Sequence, residues 1–513
     1  MLIRIKKNIH ILQQNFYNED NRYLKWGKRN ILKVFSYFDI LLYLMNLINL
    51  IIKNKYFLLI NIIYLLLFFF EYFKSKREQV KIPLKITSRI KRIFITCFIV
   101  YIIPLIIYLC NNDKYLFCFI LSFMICFNYF IIFLVNIIDY PIEKIVYYYY
   151  KKKAMDKLGN YSDMEVIGIT GSYGKTSSKN ILNDILNVKF NAITTPKNFN
   201  TKYGLIITIN NYLDKFNDIF IAEMGAFRLG SINDLCDLVH PKYGIITNIG
   251  LAHLDSFGSQ ENIQRGKFEL VESLPSDGIA ILNMDDIYQV NYKIKNKCKK
   301  IWIAIDNIDS DIRATDILMD ESGMKFQVTF KGDKDNYPFE TRLLGRYNIY
   351  NILSAIALGK LKGMSISELQ LGVKIIKTIP HRLELKKIND KIIIDDAYNA
   401  NPLGSKMALD VLGLMKGTRI VISPGMIELG DKQDELNRQF GEYMAQVAHY
   451  VILVGKKQTK PIYDGLMQKK YDKEKIFVIN DVKEAFKIID NIMVEDIKFV
   501  LLENDLPDIF NED

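Results

Sequence analysis

Residues 166–178, Val-Ile-Gly-Ile-Thr-Gly-Ser-Tyr-Gly-Lys-Thr-Ser-Ser, constrain this chain more than any other stretch. A β-branched run, read as a strand, breaks at a turn holding Gly171 and Gly174 and enters a helix that opens on Lys175, Thr176 and Ser177. Glycine lets backbone N–H groups turn inward and approach a polyphosphate closely. The helix N-terminus adds unpaired N–H groups and the positive end of its dipole. In such a loop Lys175 neutralises the β- and γ-phosphates and the Thr176 hydroxyl is placed to ligate Mg2+. The spacing departs from Gly-x4-Gly-Lys-[Ser/Thr] at Ile169, which stands where the first glycine would be. An ordinary glycine-rich turn is the competing reading, and the strand–turn–helix context favours the phosphate loop.

A strand–loop–helix of this kind needs a sheet around it, and the 513 residues divide unevenly in that respect. Residues 34–138 are dominated by Ile, Leu, Phe and Tyr, and four apolar runs lie near 35–52, 56–73, 93–110 and 115–138. Each is long enough to cross a hydrocarbon core of about 30 Å, which predicts a membrane region over 1–150 with about four transmembrane helices. Residues 1–153 hold 23 Lys and Arg against eight Asp and Glu, so the overall +11 charge belongs to the front. Its basic loops predict a multi-pass protein of the cell membrane with both ends, and the catalytic domains, in the cytoplasm. The first 33 residues have no apolar core of the signal-peptide kind. No interleaved basic–aromatic motif appears further on, so nucleic acid is not an expected partner. The six cysteines form no C-x2-C pair and suggest neither zinc nor a disulfide framework.

From about 160 to 380 the pattern alternates strands and helices, which predicts a doubly wound α/β sheet with the phosphate loop after its first strand. Residues 310–344 read as antiparallel hairpins on its edge. A second, Rossmann-like α/β domain is expected over 381–513, with strands at 391–395, 418–423, 450–454, 476–479 and 498–502. Glu223 sits at the tip of the apolar run 219–222, where open sheets hold ligands, and suits a Mg2+ shared with the triphosphate. His253 lies in a loop beyond another strand. Lys267 lies on a helix, where no spacing rule selects it.

Five segments decide the matter together: Thr170-Gly-Ser-Tyr-Gly-Lys-Thr176, Thr195-Pro-Lys-Asn-Phe-Asn200, Glu223-Met-Gly-Ala226, His253-Leu-Asp-Ser-Phe-Gly-Ser259 and Asp395-Asp-Ala-Tyr-Asn-Ala-Asn-Pro402. Leu344-Gly-Arg-Tyr-Asn-Ile-Tyr-Asn351 and Pro380-His-Arg-Leu-Glu384 fit the same order. Over about residues 165–505 the chain resembles the Mur ligase family. The resemblance implies an ATP-dependent, ADP-forming ligase of cell-wall peptide assembly. It would activate a carboxylate as an acyl phosphate and join it to D-alanyl-D-alanine or a similar amine. Lys175, Glu223, His253 and Lys267 would be its catalytic residues. Thr176, Glu223, His253 and Lys267 would serve Mg2+, with Lys267 carboxylated, because a carbamate offers oxygens where an ammonium cannot. ATP would meet Gly171, Ser172, Tyr173, Gly174, Lys175, Thr176, Ser177, Asn348, Asn351, Arg382 and Asp396. Asn198, Asn200, Tyr398, Asn399 and Asn401 would line the substrate site.

Three departures accompany the resemblance. The apolar front stands where a UDP-sugar-binding domain is expected, which suggests a lipid-linked muropeptide acceptor. Tyr347 replaces a His, and the tail from Leu501 replaces a Lys-Gly-Ser-Arg signature. Two other functions compete: a membrane-anchored ligase for a surface polyamino acid of the poly-γ-glutamate type, and an ATP-driven transporter or sensor. The last needs intramembrane acidic residues, and the apolar runs have almost none beyond Asp39 and Asp139 at their ends.

Overall fold

In a computed structural model, the described residues are 2–504, apart from 58, 60, 65, 67, 68, 70–82, 253, 398, 399 and 428. The chain divides into two compact units, Met1–Tyr149 and Tyr150–Asp513.

The first unit is helical, with helices at Leu2–Gln14, Arg22–Arg29, Tyr37–Ile52, Ser88–Asn111 and Lys114–Cys126, and the long helix Asn128–Gly159 leaving it. Its core gathers Ile9, Leu12, Tyr23, Ile90, Ile93, Tyr129 and Ile132. Polar side chains cross this core in pairs. Asn8 donates to Asn128 at 2.6 Å, Thr96 to Asp139 at 2.6 Å, and Asn46 and Asn61 exchange amide hydrogen bonds. Asp39 holds Arg4 at 3.2 Å and accepts from the Tyr64 hydroxyl at 2.5 Å.

These helices correct the expectation of a multi-pass membrane region. Among the described residues, only Ser88–Asn111 is by itself long and apolar enough to cross a membrane. Tyr37–Ile52 has 16 residues, a rise of about 24 Å, and ends where Lys53 turns left-handed at φ 53°. The fourth run is broken at Phe127, where Lys114–Cys126 and Asn128–Gly159 meet at 82°. Half of the run near 56–73, and residues 74–82 after it, lie outside the described residues. Hydropathy averages over a window and does not register such breaks, nor that Asp39, Asn46 and Asn49 fall on the buried side of their helix. Leu41, Leu44, Ile95, Phe98 and Ile99 are nonetheless exposed on this unit.

The second unit holds two sheets. The strands of the first are β1 (Glu165–Thr170), β2 (Ala192–Thr194), β3 (Ile219–Glu223), β4 (Tyr243–Ile246), β5 (Ile279–Asn283), β6 (Lys299–Ala304), β7 (Ile312–Asp320), β8 (Gly323–Phe330) and β9 (Tyr337–Thr341). Their order is β2-β3-β1-β4-β5-β6-β7-β8-β9. The ladder is parallel from β2 to β7 and antiparallel from β7 to β9, so the edge hairpins expected over 310–344 are present. Strands β1 and β3 are apolar over 166–169 and 219–222 because helices cover both faces. Helices Lys175–Leu186 and Arg346–Leu361 close one side through Ile181, Leu182, Ile185, Ile352 and Ile356.

The second sheet has order β10-β11-β15-β12-β13-β14. Its strands are β10 (Glu384–Ile388), β11 (Lys391–Asp396), β12 (Thr418–Ser423), β13 (Tyr450–Val454), β14 (Ile476–Ile479) and β15 (Lys498–Glu503). All neighbours are parallel except β10 and β11. Separate apolar clusters pack on its two faces. The edge strand β10 was not expected. Its Lys-rich sequence pairs through backbone bonds that need no apolar alternation.

Candidate active site

The phosphate loop leaves β1 at its carboxyl end. Gly171 has φ 150°, and a Cβ there would lie 2.0 Å from Thr247 Oγ1, so a side chain is excluded. Gly174 caps the helix Lys175–Leu186 in the left-handed region at φ 77°. The loop hangs from the segment after β4. Ser172 N–H donates to Asn248 O at 2.8 Å, Ser172 Oγ to Gly250 O at 2.9 Å, and Tyr173 N–H to Asn248 Oδ1 at 2.8 Å.

Lys175 folds back over this loop and donates to the carbonyls of Gly171 at 2.7 Å and Ser172 at 3.1 Å. Burial lowers its pKa to about 8, against the pull of Glu223 and with further repulsion from Arg382. At the tip of β3, Glu223 is fully buried. It accepts from Thr176 Oγ1 at 3.2 and 3.3 Å and from Asn200 Nδ2 at 3.0 Å, and pairs with Lys179 Nζ at 2.9 Å. Behind them lies Lys267, also buried, with Nζ 5.5 Å from the Phe257 ring centroid. Burial and the neighbouring Lys175 charge push its pKa well below the lysine range, opposed by Glu269.

Two joined clefts open here. One is lined by Lys175, Thr176, Asn198, Asn200, Glu223 and, from the second sheet's loops, Arg382, Asn401 and Leu429. The other is lined by Gly174, Ser177, Tyr347, Asn348, Tyr350, Asn351, Arg382 and Asp396. Arg382, Asn401, Tyr173 and Gly174 border both. Burial raises the Asp396 pKa to about 6, with Asp395 adding to it and Arg382 and the Leu383 N–H opposing. Part of Asn401 is committed to structure, since its Oδ1 caps the helix Pro402–Gly413 through Gly404 N–H at 2.9 Å.

A bound triphosphate would meet cations and helix N–H groups on the first cleft and amide and phenol groups on the second. Residues 169–359 match the Mur ligase middle domain, and residues 381–502 match the Mur ligase glutamate ligase domain. The chain carries the middle and C-terminal domains of the Mur ligases. It is 32% identical over 279 residues to the UDP-N-acetylmuramoyl-tripeptide–D-alanyl-D-alanine ligase of Escherichia coli, covering 54% of this chain and 61% of that one. It is equally similar over 280 residues to the Bacillus subtilis enzyme of the same name, covering 54% of this chain and 59% of the relative. The chain thus spans about three fifths of the length of these relatives. Among solved structures, MurF ligase from Thermotoga maritima in complex with ADP superposes with a TM-score of 0.63 at 25% identity, covering 71% of this chain and 81% of that one. MurF from Acinetobacter baumannii has the same TM-score at 23% identity, covering 70% and 78%.

Within these Mur ligase domains the fold gathers most of the expected residues at one place. Ser172, Tyr173, Gly174, Lys175, Thr176, Ser177, Asn198, Asn200, Glu223, Asn348, Asn351, Arg382, Asp396 and Asn401 all line the two clefts. Gly171 lies beneath Lys175, and Lys267 lies close enough to share its field. His253, Tyr398 and Asn399 lie outside the described residues. Among the described residues no group of three His, Cys, Asp or Glu could hold a metal. The oxygen pair Thr176–Glu223 does fit a Mg2+ that takes its remaining ligands from phosphate and water.

Two buried residues that pair with groups of the site were not expected from sequence. Lys179 sits on the same stripe as the buried Leu182 and Leu186, and a lysine inside an apolar stripe is the signal that marks it. Glu503 is register partner to Asp396 across β11 and β15, and its carboxyl is fully buried. No reading of spacing finds it, because the two residues are joined only by strand order.

Proposed function

We propose that this protein is an ATP-dependent, ADP-forming ligase of cell-wall peptide assembly that joins D-alanyl-D-alanine to UDP-N-acetylmuramoyl-tripeptide. The observation that carries this reading is the convergence of Thr176 and Glu223 beside the phosphate loop, with Arg382 facing them from the second sheet. The substrates are those in the names of the two relatives, and the soluble tripeptide replaces the lipid-linked acceptor expected from the apolar front.

In this reaction an acceptor carboxylate oxygen attacks the γ-phosphorus and ADP leaves. The amine then attacks the acyl carbon, phosphate leaves, and the amine nitrogen loses a proton. Lys175 exchanges the Gly171 and Ser172 carbonyls for phosphate oxygens, and the N–H groups of Lys175 and Thr176 orient the same phosphates. Thr176 and Glu223 would hold Mg2+, which neutralises charge on the transferring phosphoryl group. Arg382 adds a cation from the opposite wall, and Asp396 stands on the side of the second cleft where a ribose would lie. Asn198 and Asn200 orient the acceptor at the mouth.

Lys267 fits the role of a carboxylated lysine. A buried amine with a depressed pKa is a neutral nucleophile for CO2, and the resulting carbamate would face the Lys175 ammonium. Nuclear magnetic resonance with 13C-bicarbonate reads this directly: a carbamate signal is expected in the wild type and absent in Lys267→Ala.

The ligase reading is tested by ADP release from purified protein given UDP-linked tripeptide and D-alanyl-D-alanine, with Lys175→Ala as the blank. Release that requires both substrates is expected. Turnover that follows glutamate without the dipeptide would instead assign a polyamino-acid ligase.

A further inference from the structure

Lys179 lies one helical turn after Lys175 on the phosphate-loop helix, yet it lines neither cleft. Its side chain and that of Glu223 are each 2% exposed. Holding an ammonium so deep is costly unless each of its three protons has an acceptor. Here each does. Nζ meets Glu223 Oε2 at 2.9 Å, donates to the carbonyl of Thr195 at 2.8 Å, and makes a still shorter hydrogen bond to the carbonyl of Lys197.

Those acceptors belong to two segments that also meet through the backbone, where Thr195 N–H donates to Ile221 O at 3.1 Å and Glu223 N–H to Thr195 Oγ1 at 3.3 Å. Glu223 ends β3, while Thr195 and Lys197 belong to the loop that follows β2 and carries Asn198 and Asn200 into the cleft. Lys197 adopts φ 49°, a left-handed conformation that is uncommon for a non-glycine residue and persists only where neighbours enforce it. Its carbonyl is held by Lys179, and the turn around it by Phe199 N–H donating to Pro196 O at 3.1 Å. On the other side of the same carboxylate, Asn200 Nδ2 holds Glu223 Oε1 and Asn200 O accepts from Gly225 N–H at 2.7 Å.

We propose that Lys179 is a positioning residue: it clamps the Thr195–Asn200 loop onto Glu223, and so sets at once the orientation of that carboxylate and the placement of Asn198 and Asn200 toward the acceptor. This deepens the ligase reading and rests on it for the acceptor. The clamp itself is a property of the fold. Lys179 touches no substrate, and its effect passes through the groups it holds.

The test combines hydrogen exchange with kinetics on the full chain. In Lys179→Met, exchange in the 195–200 segment is expected to quicken by about tenfold or more, while the helix 175–186 keeps its protection. Acceptor kcat/KM is expected to fall by about 10²-fold, the usual cost of a misplacement near 1 Å. Metal-free binding of a fluorescent ATP analogue is expected to stay within about threefold, since the phosphate loop itself is untouched. A merely structural lysine would move the melting temperature and leave the acceptor KM and the loop's exchange alone. Should Lys179→Met fail to fold because it strands the Glu223 charge, the double variant Lys179→Met/Glu223→Gln removes both charges, and the loop is still expected to lose protection. A folded single or double variant whose 195–200 segment exchanges as slowly as wild type would overturn the proposal. If the wild type shows no acceptor-dependent ADP release, the ligase reading fails, and the exchange data still decide the clamp.

Discussion

The two sheets each end in a buried carboxylate, and the two carboxylates are kept in opposite ways. Glu223, at the tip of β3, has both oxygens engaged by Lys179, Thr176 and Asn200. Glu503, at the tip of β15, accepts from Ser405 Oγ at 2.6 Å on one oxygen, while the other is buried with no hydrogen-bond partner. Burial, with the neighbouring Asp396 charge added, pushes the Glu503 pKa well above the carboxylate range, against the Ser405 hydrogen bond and Arg382. The first sheet therefore surrounds its carboxylate with donors, whereas the second leaves one oxygen of its carboxyl without any and so favours the protonated form. A charge survives burial when cations and N–H groups surround it, and otherwise the group neutralises.

The largest effect should come from the cation that sits over the charged tip. Lys175→Ala is expected to lower ATP turnover by about 10³-fold with the fold intact by circular dichroism. Turnover within tenfold of wild type would place the chemistry elsewhere. Glu223→Gln should strand the Lys179 ammonium and cost about 3 kcal/mol of stability, read by denaturant unfolding. At the other tip the sign reverses. Glu503→Gln keeps the Ser405 hydrogen bond and removes a group that resists ionising, so at pH 8 it should stabilise the fold by on the order of 1 kcal/mol. Because the folded-state pKa is raised, the wild type's advantage from this carboxyl is fully present below about pH 4 and fades as pH rises. The gap between variant and wild-type melting temperatures should accordingly open between pH 4 and pH 8, passing through the range near 6 where Asp396 titrates. If Glu223→Gln and Glu503→Gln shift stability in the same direction, the contrast between the sheets is wrong. The smallest effect belongs far from both tips. Ser365→Ala breaks a capping box on the helix Ile366–Lys374 and should cost about 1 kcal/mol with turnover unchanged.

Much of this was legible beforehand. The phosphate loop, Glu223 and the alternation of strands and helices are local patterns, and each motif carries its own geometry. Lys267 was reached through family resemblance alone, since a lysine on a helix usually faces water. Only its packing beside Phe257 and Lys175 explains why it lies buried. The front of the chain misled for the converse reason. Its hydropathy is real, but the left-handed turn at Lys53 and the break at Phe127 are backbone events that composition does not encode.

By itself, then, the sequence determined that a glycine turn between a strand and a helix would open on Lys175 and Thr176, that strands and helices would alternate beyond it, and that hairpins would lie over 310–344. Those follow from side-chain period and from the few residues that permit a given backbone turn. Tertiary structure alone decided that Lys179 would hold Glu223 and the Thr195–Asn200 loop together, and that Asp396 and Glu503 would stand side by side. Strand order and the routing of loops bring those groups within a few ångströms from positions 16 to 107 residues apart. Their charge states are set by that proximity and by the loss of water around them.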